Sequence, residues 1–405
     1  PPADVTLRGV AHSVIVTGRA GSGKSALIKA FERIEAERLL IVRYPLARWP
    51  DEQHAWISGY GHLGQIMACA SMRIKDLLKA RPVSLSGLSK INLEYLRWLI
   101  QKYTGERSFR RWADELNYGP LLDLLAQPFV DLYPTDAELL DVQGQIEELV
   151  TLSRRLGFAG VAVLVDINPA DINDELRLEK VRELFGWLTP LQFEGFAIKA
   201  ALPELIVGQA QLLERSRGRI TFTASAWPAE LCQEVSSCHL RVATAGQLTE
   251  LSEVVADELL SALEKELPPL YTLPTPKMWL ELTQVLLDKY VVINKKLTTE
   301  NCDEIIHLYF SRYVLLKLDL IRRGVWRGDQ FIGLDEQPFR FLEVLWRQRG
   351  GGDANRALLK VAGTQGNLNT IANRLRKKIE PVPDNPVYVH NSRSRGYWLE
   401  NVDET

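Results

Sequence analysis

The stretch that most limits what this chain can fold into is Thr17 to Phe31, TGRAGSGKSALIKAF. Gly18, four residues, then Gly23-Lys24-Ser25 fits the spacing of a phosphate-binding loop in full. Gly18, Gly21 and Gly23 let the backbone bend until successive N–H groups converge on phosphate oxygens, with Ala20 and Ser22 completing the turn. Lys24 supplies a point charge for the terminal phosphates, and the Ser25 hydroxyl can sit on Mg²⁺. The flanks agree. His12 to Gly18, HSVIVTG, is a short β-branched run that reads as a buried strand. After the loop, Ala26, Leu27, Ala30, Phe31 and Ile34 recur at a helical period. Strand, glycine loop and helix place the phosphates at a helix N-terminus, where the dipole favours anions.

A chain of 405 residues is too long for one core and implies two or three domains. With 46% apolar and 25% charged residues and a net charge of −2, the composition is that of an ordinary globular protein. Bulk charge does not ask for nucleic acid, so any such binding must be local. No apolar run approaches the roughly 18–20 residues that span a bilayer, and no signal peptide is visible, so no membrane partner and a cytoplasmic location are expected. Cys69, Cys232, Cys238 and Cys302 form no CxxC pair and read as reduced, buried thiols. The chain opens on Pro1-Pro2 rather than Met, which leaves room for a preceding segment.

A nucleotide-binding core needs an acidic strand to complete the Mg²⁺ site. Gly160 to Asn168, GVAVLVDIN, offers it: an unbroken apolar run suits a strand covered on both faces, and Asp166 emerges at its carboxyl end. Two further strands are read at Gly195–Leu202 and Arg219–Trp227, with largely helical sequence between Pro45 and Phe158 and again over Leu248–Leu318. An Asn-Lys-x-Asp guanine reader is missing: the nearest text is Asn294 to Leu297, NKKL. ATP with Mg²⁺ is therefore the expected cofactor, with Lys24 and Asp166 as the catalytic pair and Ser25 and Asp166 as the metal ligands.

VAVLVDIN, FAIKAALPELI and RITFTASAWPAEL together resemble the bacterial signal-transducing ATPases with numerous domains, the STAND class, over roughly Ala11 to Gly246. That resemblance implies a switch that holds ATP and signals by oligomerising, in transcription regulation or in defence against phage. One departure matters. Such ATPases usually carry a second carboxylate beside the Mg²⁺-binding Asp, and here Ile167 and Asn168 stand there, with Asp171, Asp174 and Glu175 several residues downstream. Poor activation of water implies slow turnover.

The last seventy or so residues differ in texture. Phe339, Phe341, Leu342, Leu345 and Trp346 line one side of a helix stopped by Gly350-Gly351-Gly352, and a short helix, NRALLKVAG, follows. A third helix carries Leu368, Ile371, Ala372, Leu375 and Ile379 on one face and Asn367, Thr370, Asn373, Arg374, Lys377 and Lys378 on the other, and Pro381 ends it. VYVHNSRSRGYWL then reads as a hairpin with Arg393 and Arg395 at its tip. The run from about Asp335 to Glu400 resembles the OmpR/PhoB-type winged helix. That resemblance implies double-stranded DNA as partner, with Asn373 and Arg374 at base edges and Lys377, Arg393 and Arg395 on phosphates. Ser394 stands where the family's wing usually has Gly. Winged helices also serve as protein docks, and acids such as Glu343, Asp353 and Glu380 offset much of the positive charge.

The expected fold is α/β: a P-loop NTPase core with a parallel sheet over 1–246, holding a helical insertion at about 46–158. A helical lid or linker over 247–329 and an α+β winged-helix domain over 330–405 follow. The expected function is an ATP-gated switch with slow ATPase activity, forming a homo-oligomer or part of a larger complex. The alternatives are an AAA+-type DNA-remodelling or loading ATPase, which would want an arginine finger from among Arg154, Arg155, Arg215, Arg217 and Arg219, and a nucleotide-holding subunit whose winged helix docks protein.

Overall fold

The computed structural model describes residues 9–10, 12–49, 60–132, 139–167, 175–188, 193–215, 220–267, 274–328, 330–348 and 354–403. Two compact units result, Pro1–Ala226 and Trp227–Thr405.

The first unit is built on five parallel strands: β1 (Val14–Gly18), β2 (Leu40–Arg43), β3 (Val161–Asp166), β4 (Phe196–Pro203) and β5 (Thr221–Ala224), in the order β2-β3-β4-β1-β5. Their near-continuous apolar text follows from burial on both faces. Val14, Val16, Ile41, Ala162, Leu164 and Ala201 face Leu27, Ile28 and Phe31 of α1 (Lys24–Glu35). Ile15, Val42, Val163, Val165, Ile198 and Leu202 face the other way, into a larger core shared with the helices. This is the mixed α/β fold on a parallel sheet that the sequence implies.

The helices of that second layer are α2 (Tyr60–Ala80), α3 (Lys90–Thr104), α4 (Glu106–Leu116), α5 (Gly119–Leu125) and α6 (Leu139–Arg155). Local chemistry sets their ends. The Ser89 hydroxyl accepts from Asn92 N at the start of α3, and Asn117, at φ 49°, closes α4 in the left-handed conformation that a short polar side chain tolerates. Trp98 and Trp112 are fully buried among them, and the Trp98 indole N–H still finds the Asp131 carboxylate at 2.6 Å. Between β2 and α2, Tyr44, Trp49 and His62 pack ring to ring, with Tyr44 Oη 2.7 Å from His62 Nδ1. His62 is fully buried, and burial pushes its pKa down to about 4. After β3 come α7 (Glu175–Glu183) and, directly off β4, the short α8 (Glu204–Gln209).

The second unit opens with α9 (Ala229–Ala243), α10 (Asp257–Glu266), α11 (Pro276–Ile293) and α12 (Cys302–Tyr313). The helical text continues to Leu318, but the structure ends α12 at Tyr313 and starts β6 (Leu316–Asp319) there. Val314 is already extended, and Leu316 enters the core as the first residue of an antiparallel sheet with β7 (Gly324–Arg327) and β8 (Gln330–Gly333). Three helices follow, α13 (Glu336–Gln348), α14 (Ala354–Ala362) and α15 (Gln365–Ile379), then the hairpin β9 (Val389–Ser392) and β10 (Gly396–Leu399). The expected helix stop at Gly350-Gly351-Gly352, together with Asp353, lies outside the described residues. One apolar core runs through the whole unit, from Cys232 and Trp279 to Leu375 and Tyr397. Leu316 N donates to Asn401 O, and Asp403 N to Leu316 O, so the chain's last described strand-like segment closes back on β6. All four cysteines are free; Cys69 and Cys232 are buried as expected, whereas Cys302 is half-buried and Cys238 is exposed.

Candidate nucleotide site and basic surface

The loop between β1 and α1 sits at the carboxyl edge of the sheet, the edge where open α/β folds bind ligands. Gly21 and Gly23 take φ 78° and 84°, conformations that side-chain-bearing residues rarely adopt. Gly18 is required by space: a Cβ there would stand 2.8 Å from Ser22 Oγ and 3.2 Å from Ser225 O. Ser225, at the end of β5, braces the loop from outside. Its N–H donates to Thr17 O at 2.7 Å and its hydroxyl to Ser22 O at 2.7 Å.

Gly23 caps α1, so Lys24 and Ser25 are its first two residues. The Lys24 ammonium folds back over the loop and donates to Gly18 O at 2.9 Å and Arg19 O at 2.7 Å. Burial holds its pKa below the usual lysine value, opposed by the negative charges of Asp166 and Glu204. Ser25 Oγ donates to Asp166 Oδ1 at 2.9 Å, joining residues 141 apart in sequence across the end of β4. The registers explain the meeting. β4 lies between β1 and β3, pairing Gly18 with Pro203 and Asp166 with Ala201, so all three strand ends finish level.

These residues fit a magnesium nucleotide. Left-handed glycines aim backbone N–H groups inward, a lysine spans the loop, and a hydroxyl and a carboxylate already share one proton-bridged position where a divalent cation takes both oxygens. Gly18, Ala20, Gly21, Ser22 and Gly23 would cradle the phosphates. Lys24 would meet the terminal ones, and Ser25 and Asp166 would hold the metal.

Ile167 is buried in the core and donates its N–H to Ala201 O, so it offers no group to a water beside Asp166. Asn168, Asp171 and Asp174 lie outside the described residues, as does the Glu175 side chain. Glu204 is the acidic group that sequence reading passed over. It is the first residue of α8, one step beyond the Pro203 that pairs with Gly18, and it is exposed. The signal was available: a carboxylate directly after the Leu-Pro that ends a central strand. Of the arginines considered for a finger, Arg154 pairs with Glu194 at 3.2 Å and Arg155 is exposed, both at the C-terminus of α6 and the amino edge of the sheet. Arg217, Arg219 and the Arg215 side chain lie outside the described residues.

In the second unit, α15 is capped by Thr364, whose hydroxyl accepts from Asn367 N. Asn373, Arg374 and Lys377 project from its exposed face, and Arg393 and Arg395 stand exposed at the turn of the hairpin. Arg374, Lys377 and Arg393 form no ion pair among the described residues, whereas Lys378 on the same helix is paired with Asp335 at 2.8 Å. The Arg395 guanidinium carbon lies 4.8 Å from the centroid of the Trp398 ring, a cation–π contact that holds the charge against the hairpin. The hairpin's left-handed residue is Gly396, at φ 74°, and not Ser394, so a serine at 394 costs the turn nothing.

Glu380 locks this surface together. It is 4% exposed, and its carboxylate accepts from Val387, Tyr388 and Val389 N–H, tying the end of α15 to the start of the hairpin. Burial pushes its pKa up, against those three donors. Tyr397 Oη donates to Asn369 Oδ1 at 3.0 Å, a second tie between hairpin and helix.

No protein-family model matches the sequence, and no curated protein matches it. Among solved structures, Cdc6p from Pyrobaculum aerophilum aligns over 100% of this chain and 90% of its own, at 12% identity and a TM-score of 0.35. The Aeropyrum pernix ORC1 protein in complex with DNA aligns over 97% of this chain and 84% of its own, at 12% identity and a TM-score of 0.31. Likeness at these scores is loose; the reading of the site stands on the strand order, the loop and the Ser25–Asp166 bond. Among the described residues, no helix is long and apolar enough to cross a membrane.

Proposed function

We propose that the chain is a Mg²⁺-dependent, ATP-binding P-loop ATPase of the AAA+ kind that acts on double-stranded DNA through a winged helix in its second unit. The single observation that carries the nucleotide half is the Ser25 Oγ–Asp166 Oδ1 hydrogen bond, which builds a two-oxygen metal seat beside the Lys24 ammonium. Bound Mg²⁺ would neutralise the phosphate charge and polarise the terminal phosphoryl group. Around it, Lys24 orients the phosphates and the α1 N-terminus adds its dipole. Glu204, whose charge reaches Lys24, would orient the water, in the role that Ile167 cannot fill.

The DNA half is supported by three helices and a hairpin in the order of the OmpR/PhoB resemblance, by Arg374, Lys377 and Arg393, which form no ion pair among the described residues, and by the Glu380 brace that ties helix to hairpin. Asn373 and Arg374 would read base edges in the major groove; Lys377, Arg393 and Arg395 would hold phosphates. Assembly into a homo-oligomer is part of this reading, in which an arginine from another subunit would complete the site.

The burial of Ile167 favours a second reading, a STAND-like switch that holds ATP and turns over slowly, with nucleotide state controlling the winged helix. Turnover separates the two: DNA-stimulated hydrolysis that collapses in Glu204→Gln supports the first, and ATP retained through many hours without product supports the second. The deciding experiment is fluorescence-anisotropy binding to random duplex DNA, with and without ATP–Mg²⁺, for wild type and Lys24→Ala. An ATP-dependent, steeply salt-sensitive change that Lys24→Ala removes is the expected result. Absence of binding in every nucleotide state at low salt would leave a protein dock.

A further inference from the structure

Far along the sequence from the phosphate loop, within the helical layer of the first unit, α3, α4 and the segment after α5 enclose a small pocket of about 200 Å³. Its floor is Arg97 of α3, only 8% exposed. The guanidinium donates from Nε to Gln101 Oε1 at 3.2 Å and from Nη2 to Gln127 O at 2.8 Å, two neutral acceptors. Arginine carries five N–H donors in a fixed fork, and these bonds use two of them. The carboxylate at the rim, Glu106, is already engaged by Arg110, whose Nε donates to it at 2.9 Å. Two arginines against one glutamate leave the lining with one positive charge in excess.

Arg97's direct hydrogen-bond partners are neutral, and the one carboxylate whose charge reaches it, Glu106, is shared with Arg110, so burying the guanidinium is only partly offset. Burial makes Arg97 easier to deprotonate than an ordinary arginine; attraction to Glu106 opposes this, and repulsion from Arg110 adds to it. The Phe129 ring lies 6.0 Å from the Arg97 guanidinium carbon and is 38% exposed, an apolar wall beside the charge.

We propose that this pocket binds a small organic oxyanion, a carboxylate or phosphate group attached to a flat ring. The oxyanion pairs with the free edge of the Arg97 fork and with Arg110, and the ring lies against Phe129. The geometry suits bidentate recognition, which an arginine fork provides and a lysine does not. The site belongs to the helical insertion, is distinct from the phosphate loop, and does not depend on the function proposed above.

The test uses the full chain carrying Lys24→Ala, so that anions at the phosphate loop do not contribute. Benzoate, phenyl phosphate, inorganic phosphate and uncharged benzyl alcohol are titrated by calorimetry. The expected result is one-to-one binding of benzoate or phenyl phosphate, weakened roughly tenfold in Arg97→Gln and in Arg110→Ala, with benzyl alcohol silent. Arg110 is surface-exposed, so its variant folds even where Arg97→Gln does not. Phenylalanine removal, Phe129→Ala, is expected to weaken the ring-bearing probes and leave inorganic phosphate unchanged. No heat from any charged probe up to about 10 mM, or binding unchanged by both arginine variants, would overturn the proposal.

Discussion

The two candidate surfaces of this protein are made in opposite ways. At the phosphate loop almost everything that matters is tied to something else. Lys24 is bound to two carbonyls, Ser25 to Asp166, and Ser225 to the loop backbone on two sides. At α15 and the hairpin tip the ties lie underneath, at Glu380, Asn369 and Tyr397, while Arg374, Lys377 and Arg393 project outward without an ion pair among the described residues. A small, highly charged ligand needs converging donors whose positions are settled beforehand, because each must meet one oxygen. A long polyanion needs a firm scaffold and reachable charge, because its phosphates repeat and the counterions it releases supply much of the affinity.

That difference predicts where mutation bites. The largest effect is expected beneath the basic surface: Glu380→Ala strips three buried N–H groups of their acceptor and should cost the second unit about 3 kcal/mol or more, read as a lower denaturant midpoint. A loss under about 1 kcal/mol would mean that the hairpin needs no brace.

Acid should act on the first unit with similar size through His62. Its folded pKa of about 4 lies below the unfolded value of 6.5, so the unfolded chain binds the extra proton between them. The stability this group leaves intact at neutral pH is therefore lost as pH falls from 6.5 toward 4, by roughly 3 kcal/mol in all. Urea unfolding across that range, with His62→Phe as control, should show the slope flatten in the variant; an unchanged slope would assign it elsewhere.

Lys24→Ala should weaken ATP–Mg²⁺ by roughly a hundredfold, since a charged hydrogen-bond donor contributes about 1.5–3 kcal/mol. Its nucleotide-free DNA affinity should not move, and a parallel loss would break the separation between the two surfaces. The smallest effects belong to the exposed cations: Lys377→Ala and Arg393→Ala should each lower DNA affinity a few-fold and reduce the salt slope by about 1, whatever the DNA sequence. Sequence-dependent losses at Lys377 would recast it as a base reader.

Much of this was legible in the residues, for reasons that differ along the chain. The loop could be read because a phosphate cradle needs glycines, a lysine and a hydroxyl at fixed offsets, and the β-branched runs at Val14–Gly18 and Val161–Asp166 could be read because strands covered on both faces are apolar throughout. The β2 strand, Leu40–Arg43, escaped notice because four residues after a helix are too few to show a period. So did β6 to β8, where strands of four residues each follow directly on helical text. Glu204 went unseen because its relevance is a matter of strand order: only when β4 is inserted between β1 and β3 does the charge of the residue after Pro203 reach Lys24.

The sequence by itself therefore determined the local chemistry: which segment could cradle phosphate, which aspartate ended an apolar strand, and which helix turned its cations outward. Each of these is written in spacing along one stretch of chain. The tertiary structure alone decided which distant groups meet. Ser25 reaches Asp166 across β4, Glu380 gathers three N–H groups from the hairpin, and Arg97 ends in a pocket with Gln101 and Gln127 as its hydrogen-bond partners. Such meetings depend on strand order and helix packing, which are settled by the burial of the whole apolar core and leave no trace in the spacing of the residues that come together.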